Sequence, residues 1–402
     1  MKSIILLFSV AIALTACSPT VSEKEKKIKV LNLQVEKAAA QAKLLAQNLI
    51  NEKDKLPRST DENGNLVTAN SAWWTSGFFP GTLWYLYELT NDPELLNYAQ
   101  EYTLRVEKEQ YTTNNHDVGF MIYCSFGNGY RLTGNEQYKK VMLQAAESLS
   151  TRYREETGLI RSWDWNKEVW KYPVIIDNMM NLELLEWASR NSDSAKYVNI
   201  ARSHADVTMK NHFREDYSCY HVVSYDPETG LPELHQTRQG FADESTWARG
   251  EAWALYGYVM MYRESGERRY LDQAKNIADF IVNHPRLPED KIPYWDFDAP
   301  DIPTAKRDAS AAAIMASALI ELSTMTEGEL SEKYLKTAAK QIETLSSTEY
   351  FAQAGTNNNF ILKHSVGDLP RNSEVDVPLT YADYYYIEAL KRYLDILSTT
   401  AL

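Results

Sequence analysis

The sequence predicts an all-α fold, a closed ring of six helical hairpins or (α/α)6 barrel, and three observations lead there. First, one two-helix unit recurs. A nearly all-apolar helix rich in aromatic residues runs to a turn of the Thr-Gly-Asn or Glu-Ser-Gly kind, and an amphipathic helix follows. Second, the two kinds of helix come in equal sets. The apolar members begin near Gly77, Gly119, Asp177, Trp247, Ala309 and Tyr381, and the amphipathic members cover roughly 28–52, 92–110, 136–154, 193–211, 268–284 and 330–347. A helix apolar on every face must be buried, and one with a polar face belongs outside, so six inner helices are wrapped by six outer ones. Third, the unit recurs at uneven intervals, about 42 to 72 residues. An open solenoid needs more uniform periods and capping repeats; a ring does not.

Taken in order, the chain opens with Lys2, a short apolar run over 4–14, and Leu14-Thr-Ala-Cys17. The run is too short to span a bilayer, and the small residues before Cys17 fit a bacterial lipoprotein signal over 1–17 that ends at a lipidated Cys17. Residues 18–27 read as a polar tether, and 28–402, with no Pro/Gly/Ser-rich linker, as a single catalytic domain. The expected location is therefore the periplasm or cell surface, anchored by lipid. A polar stretch over 58–72 turns at Asp61-Glu-Asn-Gly64, and Trp73-Trp-Thr-Ser-Gly-Phe-Phe-Pro-Gly81 then opens the first inner helix. The inner helices stop at Thr90-Asn-Asp, Thr133-Gly-Asn, Asn191-Ser-Asp, Glu264-Ser-Gly and Thr326-Glu-Gly. Between hairpins lie four long segments, 155–176, 212–246, 285–308 and 348–380, which hold much of the Trp, Tyr, Pro and His. Connections of that length in a compact domain usually carry function.

Composition narrows the chemistry. A net charge of −13 argues against nucleic acid or an anionic membrane as partner. Beyond Cys17 only Cys124 and Cys219 remain, each read as a small buried apolar group rather than part of a disulfide framework. No phosphate-binding glycine loop, His-Glu-x-x-His or Gly-x-Ser-x-Gly occurs, so no cofactor and no metal is expected. Carboxylates and aromatics remain. Asp177 follows the apolar extended run 173–176 and stands where a helix N-cap belongs, ahead of a helix ending near Arg190. A plain capping role would account for it alone, but Asp117 in His116-Asp-Val-Gly-Phe120 sits in a similar setting. The chain has ten tryptophans, and Trp73, Trp74, Trp163, Trp165, Trp247, Trp253 and Trp295 precede or open inner helices. Tryptophans gathered at one mouth suit sugars, whose C–H faces stack on aromatic rings.

Five stretches in this order, Trp74-Thr-Ser-Gly-Phe-Phe-Pro-Gly81, His116-Asp-Val-Gly-Phe120, Ile176-Asp-Asn-Met-Met-Asn-Leu182, Arg238-Gln-Gly-Phe-Ala-Asp-Glu-Ser-Thr-Trp-Ala-Arg-Gly-Glu-Ala-Trp253 and Ala382-Asp-Tyr-Tyr-Tyr-Ile-Glu-Ala-Leu390, together resemble the unsaturated glucuronyl hydrolases of glycoside hydrolase family 88. The resemblance implies an (α/α)6 barrel that removes a 4,5-unsaturated glucuronic acid from the non-reducing end of lyase-generated glycosaminoglycan oligosaccharides by hydrating the double bond. It implies Asp177 as general acid/base and Asp117 as its assistant. It places Trp74, His116, Trp163, His221, Gln239, Trp247, Arg249, Trp253 and Ser365 on the substrate, and the loop 362–373 offers Lys363, Arg371 and Ser373 to a sulfate. Arg249 is the expected bidentate partner of the uronate, with a structural pair to Glu244 or Glu251 as the alternative. A nearby Asp117 carboxylate and an apolar surround are expected to keep Asp177 protonated against the helix dipole, with the like charge as the larger effect. Competing functions are an unsaturated rhamnogalacturonyl hydrolase acting on pectin fragments and a non-catalytic sugar-binding lipoprotein. The expected assembly is a monomer or weak dimer.

Overall fold

The computed structural model describes residues 22–399, so the signal segment, Cys17 and the start of the tether lie outside the described residues. Helix α1 spans Glu23–Leu49 and begins earlier than expected. Ser22 accepts from the Glu25 amide at 3.2 Å while the Glu25 carboxylate accepts from the Ser22 amide at 2.8 Å, a reciprocal cap that draws the last tether residues into the helix. The polar stretch after it is a hairpin, β1 (Leu56–Thr60) and β2 (Leu66–Ala69), turned at Gly64 with φ 77°.

The hairpin units then follow one another. Inner α2 (Phe78–Thr90) is followed by outer α3 (Pro93–Leu104), and α4 (Val118–Ile122), continued through a π turn into α5 (Asn128–Thr133), by α6 (Glu136–Ser150). Strands β3 (Tyr153–Arg154), β4 (Leu159–Ile160) and β5 (Pro173–Ile175) lead to a 3-10 turn over Ile176–Asn181, inner α7 (Leu182–Arg190) and outer α8 (Lys196–Asn211). Strands β6 (Val222–Tyr225) and β7 (Pro232–Gln236) precede the pair α9 (Ala248–Ser265) and α10 (Arg268–Asn283). The pair α11 (Ala309–Thr324) and α12 (Gly328–Leu345) comes next, and β8 (Ser365–Asp368) and β9 (Ser373–Val377) lead into the last inner helix, α13 (Thr380–Thr399).

Local chemistry sets these boundaries. Asn91, Gly134 and Gly266, each at an expected stop, take left-handed φ of 55°, 64° and 68° and end α2, α5 and α9. Asp92, Asn135 and Asp308 each accept from the amide two residues on and start α3, α6 and α11. The ring closes because α13 packs on α2, and α1 covers the seam by packing on both. Small side chains along α11 let it lie against α9, α12 and α13 at once.

An aromatic layer fills the axis near one mouth: Trp74, Phe78, Phe120, Trp253, Tyr381 and Tyr385 touch one another with centroids 5.0–6.4 Å apart. Trp253, expected in the substrate cup, is fully buried within this layer. Its position a turn and a half inside α9 carries it below the mouth. Cys124 and Cys219 are free and buried, as expected.

Candidate active site

Strand pairing places the first carboxylate. Strand β5 lies antiparallel to β6 with Ile175 opposite Val222, and the Ile176 amide donates to the His221 carbonyl at 3.0 Å. Asp177, one residue on, therefore emerges beside the His221 ring, with Oδ2 3.8 Å from Nε2. The His221 Nδ1 accepts from the amides of Arg238 and Gln239 at 3.2 Å each, because the chain leaving β7 wraps around the ring. That leaves Nε2 as the protonated nitrogen, facing the carboxyl group, and burial drives the His221 pKa well below its ordinary value, so the ring is neutral.

The second carboxylate comes from α4. The Phe120 amide donates to Asn181 Oδ1 at 2.8 Å, which pins α4 to the 3-10 turn that carries Asp177. Only glycine allows this approach, since a Cβ on Gly119 would stand 2.6 Å from the Asn181 Cα. The Asp117 carboxylate is held from one side by His116, with Nε2 3.4 Å from Oδ1, and the Asp117 amide donates to Asn115 Oδ1 at 2.8 Å.

Asp177 is not a cap. It lies inside the 3-10 turn, whose preceding residue makes no side-chain cap, and its buried Oδ2 has no hydrogen-bond partner among the described residues. Burial pushes its pKa up to about 7. The Arg249 charge opposes that rise, and the charge of Asp117 adds to it as the smallest of the causes. The like-charge repulsion expected to dominate is thus minor, and removal from water does the work. Asp117 is also raised to about 7 by burial, against the pull of Arg152. Burial lowers His116 to about 3, so it too is neutral.

Both carboxyls line a cavity of about 370 Å³. Its wall holds Trp74, His116, Trp163, Gln239 and Arg249 of the expected residues, and adds Trp73, Trp165, Asn114, Asn115 and Ser162. Trp163 and Trp165 stack at 4.9 Å with an interplanar angle of 13°. The Trp163 indole N–H is buried without an acceptor among the described residues. Trp73 and Trp165 stood beside assigned tryptophans in sequence. What put them in the wall is loop geometry, which periodicity does not carry.

Other expected residues fall elsewhere. Trp247 is buried outside the wall, between the His221 ring at 4.4 Å and the Arg249 guanidinium at 4.4 Å. Arg249 pairs with neither Glu244 nor Glu251. One amino group donates to Asp308 Oδ2 at 3.1 Å and to the Val366 carbonyl, and the other to the Gly367 carbonyl at 2.6 Å. Its fork is therefore engaged by its own chain, and it clamps the β8 strand, whose Gly367 carbonyl also accepts from Gln239 Nε2 at 2.9 Å. Ser365 is fully buried in β8, outside the wall. The expected sulfate ligands do not converge. Lys363 donates to the Thr348 carbonyl at 3.0 Å, Arg371 pairs with Asp368 at 3.2 Å, and Ser373 lines a separate cleft between the β1–β2 and β8–β9 hairpins.

Among the described residues no group of three or more His, Cys, Asp or Glu could hold a metal ion. What the cavity offers is two carboxyls poised near neutrality, the neutral His116 imidazole, and aromatic walls, with His221, expected on the substrate, buried outside the wall beside Asp177. This is proton-transfer machinery in a sugar-sized cup.

Comparison with known proteins agrees. The model of Glycosyl Hydrolase Family 88 matches residues 43–394. An unsaturated glucuronyl hydrolase of Formosa agariphila is 50% identical over 320 residues, 79% of this chain and 79% of the relative. An unsaturated chondroitin disaccharide hydrolase of Streptococcus pneumoniae is 32% identical over 354 residues, 87% of this chain and 89% of the relative. The crystal structure of an unsaturated glucuronyl hydrolase specific for heparin superposes with a TM-score of 0.89 at 49% identity, covering 92% of this chain and 98% of that one. That of the Bacillus sp. GL1 enzyme superposes at 0.83 with 30% identity, over 89% and 96%. A match across nearly all of the described barrel, with both carboxyls seated in its cavity, makes this chain a member of Glycosyl Hydrolase Family 88.

Proposed function

We propose that the protein removes a 4,5-unsaturated glucuronic acid residue from the non-reducing end of glycosaminoglycan oligosaccharides by hydrating the C4=C5 bond. The observation that carries this is the pair of carboxyls raised to about 7 in one aromatic cavity. Protonating an enol ether at neutral pH needs a carboxylic acid that still holds its proton there. In this reading the Asp177 carboxyl donates its proton to C4, and positive charge develops at C5 and the ring oxygen. Water adds to C5 and returns a proton to the Asp177 carboxylate, leaving a hemiketal. Breaking C5–O5 then gives a ketone at C5 and a hemiacetal at C1, which expels the aglycone as an alcohol and leaves an aldehyde. The route needs one acid/base, not the separate nucleophile of retaining enzymes. The relatives' names support the substrate class.

The test is a panel of lyase-generated disaccharides followed by loss of the conjugated enoate's ultraviolet absorbance. Turnover of glycosaminoglycan products with none of pectin products is expected. The reverse would favour a rhamnogalacturonyl hydrolase, and binding without turnover a sugar-binding protein.

The reading of the first residues as a lipoprotein signal adds that the enzyme works in the periplasm or at the cell surface, tethered through Cys17. Cys17→Ser should move it from the membrane fraction to the soluble fraction of its host. A protein that stays with the membrane in that variant would remove the tether from the proposal.

A further inference from the structure

A second cavity, of about 430 Å³, lies on the far side of the aromatic layer. Trp74 of that layer lines the active cavity, whereas Phe120 and Tyr385 line the second one. Its other walls come from the far halves of the inner helices. Arg131 stands two residues before the end of α5, Trp187 three before the end of α7, and Arg263 two before the end of α9. The cavity therefore sits where inner helices finish, and the negative ends of their dipoles gather there. The π turn over Tyr123–Gly127 forms part of the wall, a backbone form that is frequent at functional sites. Six more aromatic side chains face the space: Tyr85, Tyr123, Tyr130, Trp187, Tyr256 and Tyr384.

The charged groups around it are short of a cation. Arg263 is spent on Glu183, on Glu264 at 3.0 Å and on Glu321 at 2.7 Å. Arg392 is spent on Glu321 at 2.7 Å, the Ser317 carbonyl and the Tyr256 hydroxyl, and Arg190 on Glu264. Four carboxylates, Glu183, Glu264, Glu321 and Glu388, thus share three guanidiniums among the described residues. Arg131, the remaining cation of the wall, is held in bidentate fashion by Glu88. Glu388 is satisfied by the hydroxyls of Tyr85 at 2.8 Å and Tyr256 at 3.0 Å. Glu183 is the member left short. Among the described residues its only hydrogen-bond partner is Arg263, which reaches one oxygen. Burial pushes its carboxyl up to about 7 against the Arg263 charge, and Glu264, Glu388 and Glu321 add to the rise.

We propose that this second cavity binds a small organic ammonium ion, with the charge on Glu183 and the alkyl groups against the aromatic walls. Ring faces attract an alkylammonium, and do so best where water is displaced. A bare metal ion would make no use of those walls. An anion would find Arg131, Arg263 and Arg392 already paired. The site is separate from the carboxyl pair, and no step of the hydrolysis passes through it.

The experiment titrates three probes into the intact protein by calorimetry at constant ionic strength. They are choline, tetramethylammonium and 3,3-dimethyl-1-butanol, which copies the shape of choline without its charge. Both ammonium ions are expected to bind about 10-fold or more tightly than the neutral alcohol. Glu183→Gln keeps the shape and leaves Arg263 its Glu264 and Glu321 partners. It should weaken ammonium binding about 10-fold, while Asp177→Asn should not. The ammonium replaces a proton on Glu183, so wild-type affinity should rise between about pH 6 and about pH 8 and stay flat in Glu183→Gln. The groups facing that carboxyl are Arg263 and Glu264 on α9, Glu321 on α11, Glu388 on α13 and Tyr123 of the π turn. No binding of either ammonium, equal binding of the neutral alcohol, or unchanged affinity in Glu183→Gln overturns the proposal. Loss of choline binding in Asp177→Asn places the ion in the active cavity and overturns it as well. Should Glu183→Gln fail to fold, Tyr130→Leu carries the test: weakened choline binding supports the site, and unchanged binding overturns it.

Discussion

Asp177→Asn is expected to lower kcat by about 10²–10⁴-fold while leaving substrate affinity nearly unchanged, because in the proposed mechanism it deletes the proton donor and keeps the shape of the wall. The same substitution is expected to stabilise the fold. The Asp177 carboxyl is pushed from 3.8 up to about 7, so between those values the folded chain holds a proton that the unfolded chain releases. Wild-type stability therefore falls as pH rises through that window, at about 1.4 kcal/mol per pH unit, or about 4 kcal/mol in all. An asparagine carries no such cost. The Tm advantage of the variant should be absent near pH 4, grow as pH rises, and level off above about 7. For activity the sign is the same: the acid is lost as pH rises through about 7, which sets the alkaline limb of the rate profile. Asp117→Asn should slow turnover and move that limb to lower pH, by a small step because burial and not Asp117 is the first cause. Near-normal turnover of Asp177→Asn would take the acid/base role away from this residue.

The second large effect falls on Arg249. Arg249→Ala leaves Asp308, which is fully buried, without its cation and releases the Val366 and Gly367 carbonyls. Breaking a buried pair in this way costs about 3–5 kcal/mol. Arg249→Lys keeps a charge for Asp308, but a single ammonium cannot reach all three acceptors, and a loss of about 1–3 kcal/mol follows. Because Gly367 also accepts from Gln239, the loosened β8 strand should shift that wall residue and raise KM. Thermal unfolding and kinetics on one substrate check both parts. A raised KM at unchanged Tm in Arg249→Lys would put the fork on the substrate rather than on β8.

How much of this was legible in sequence follows from the range of each interaction. Fold class was legible because an inner helix must be apolar on all sides and an outer one on a single side, a demand that every residue of the helix records. The stops at Asn91, Gly134 and Gly266 were legible because a left-handed residue is a local requirement. Asp117 and Asp177 stood out through their motifs, and the buried strand before Asp177 through its β-branched run.

The tertiary structure decided what those residues do. Whether Asp177 caps a helix or stands free depends on the Ile175–Val222 register, a pairing across more than forty residues that no local pattern encodes. The cause of its raised pKa is a sum over everything packed around it, so the relative weight of burial and of the Asp117 charge was not legible, and burial outweighed the like charge. Arg249 and Arg238 lie eleven positions apart in one motif. One is spent on Asp308 and two distant carbonyls, while the other has only a stack over Trp165 among the described residues, a difference set wholly by which loop arrives beside each. Sequence by itself determined the ring, its two carboxyls and its aromatic richness, because those are properties of single elements. Only the folded ring decided which side chains reach the cavity, because contacts between loops from different hairpins depend on closure, and closure belongs to the whole chain.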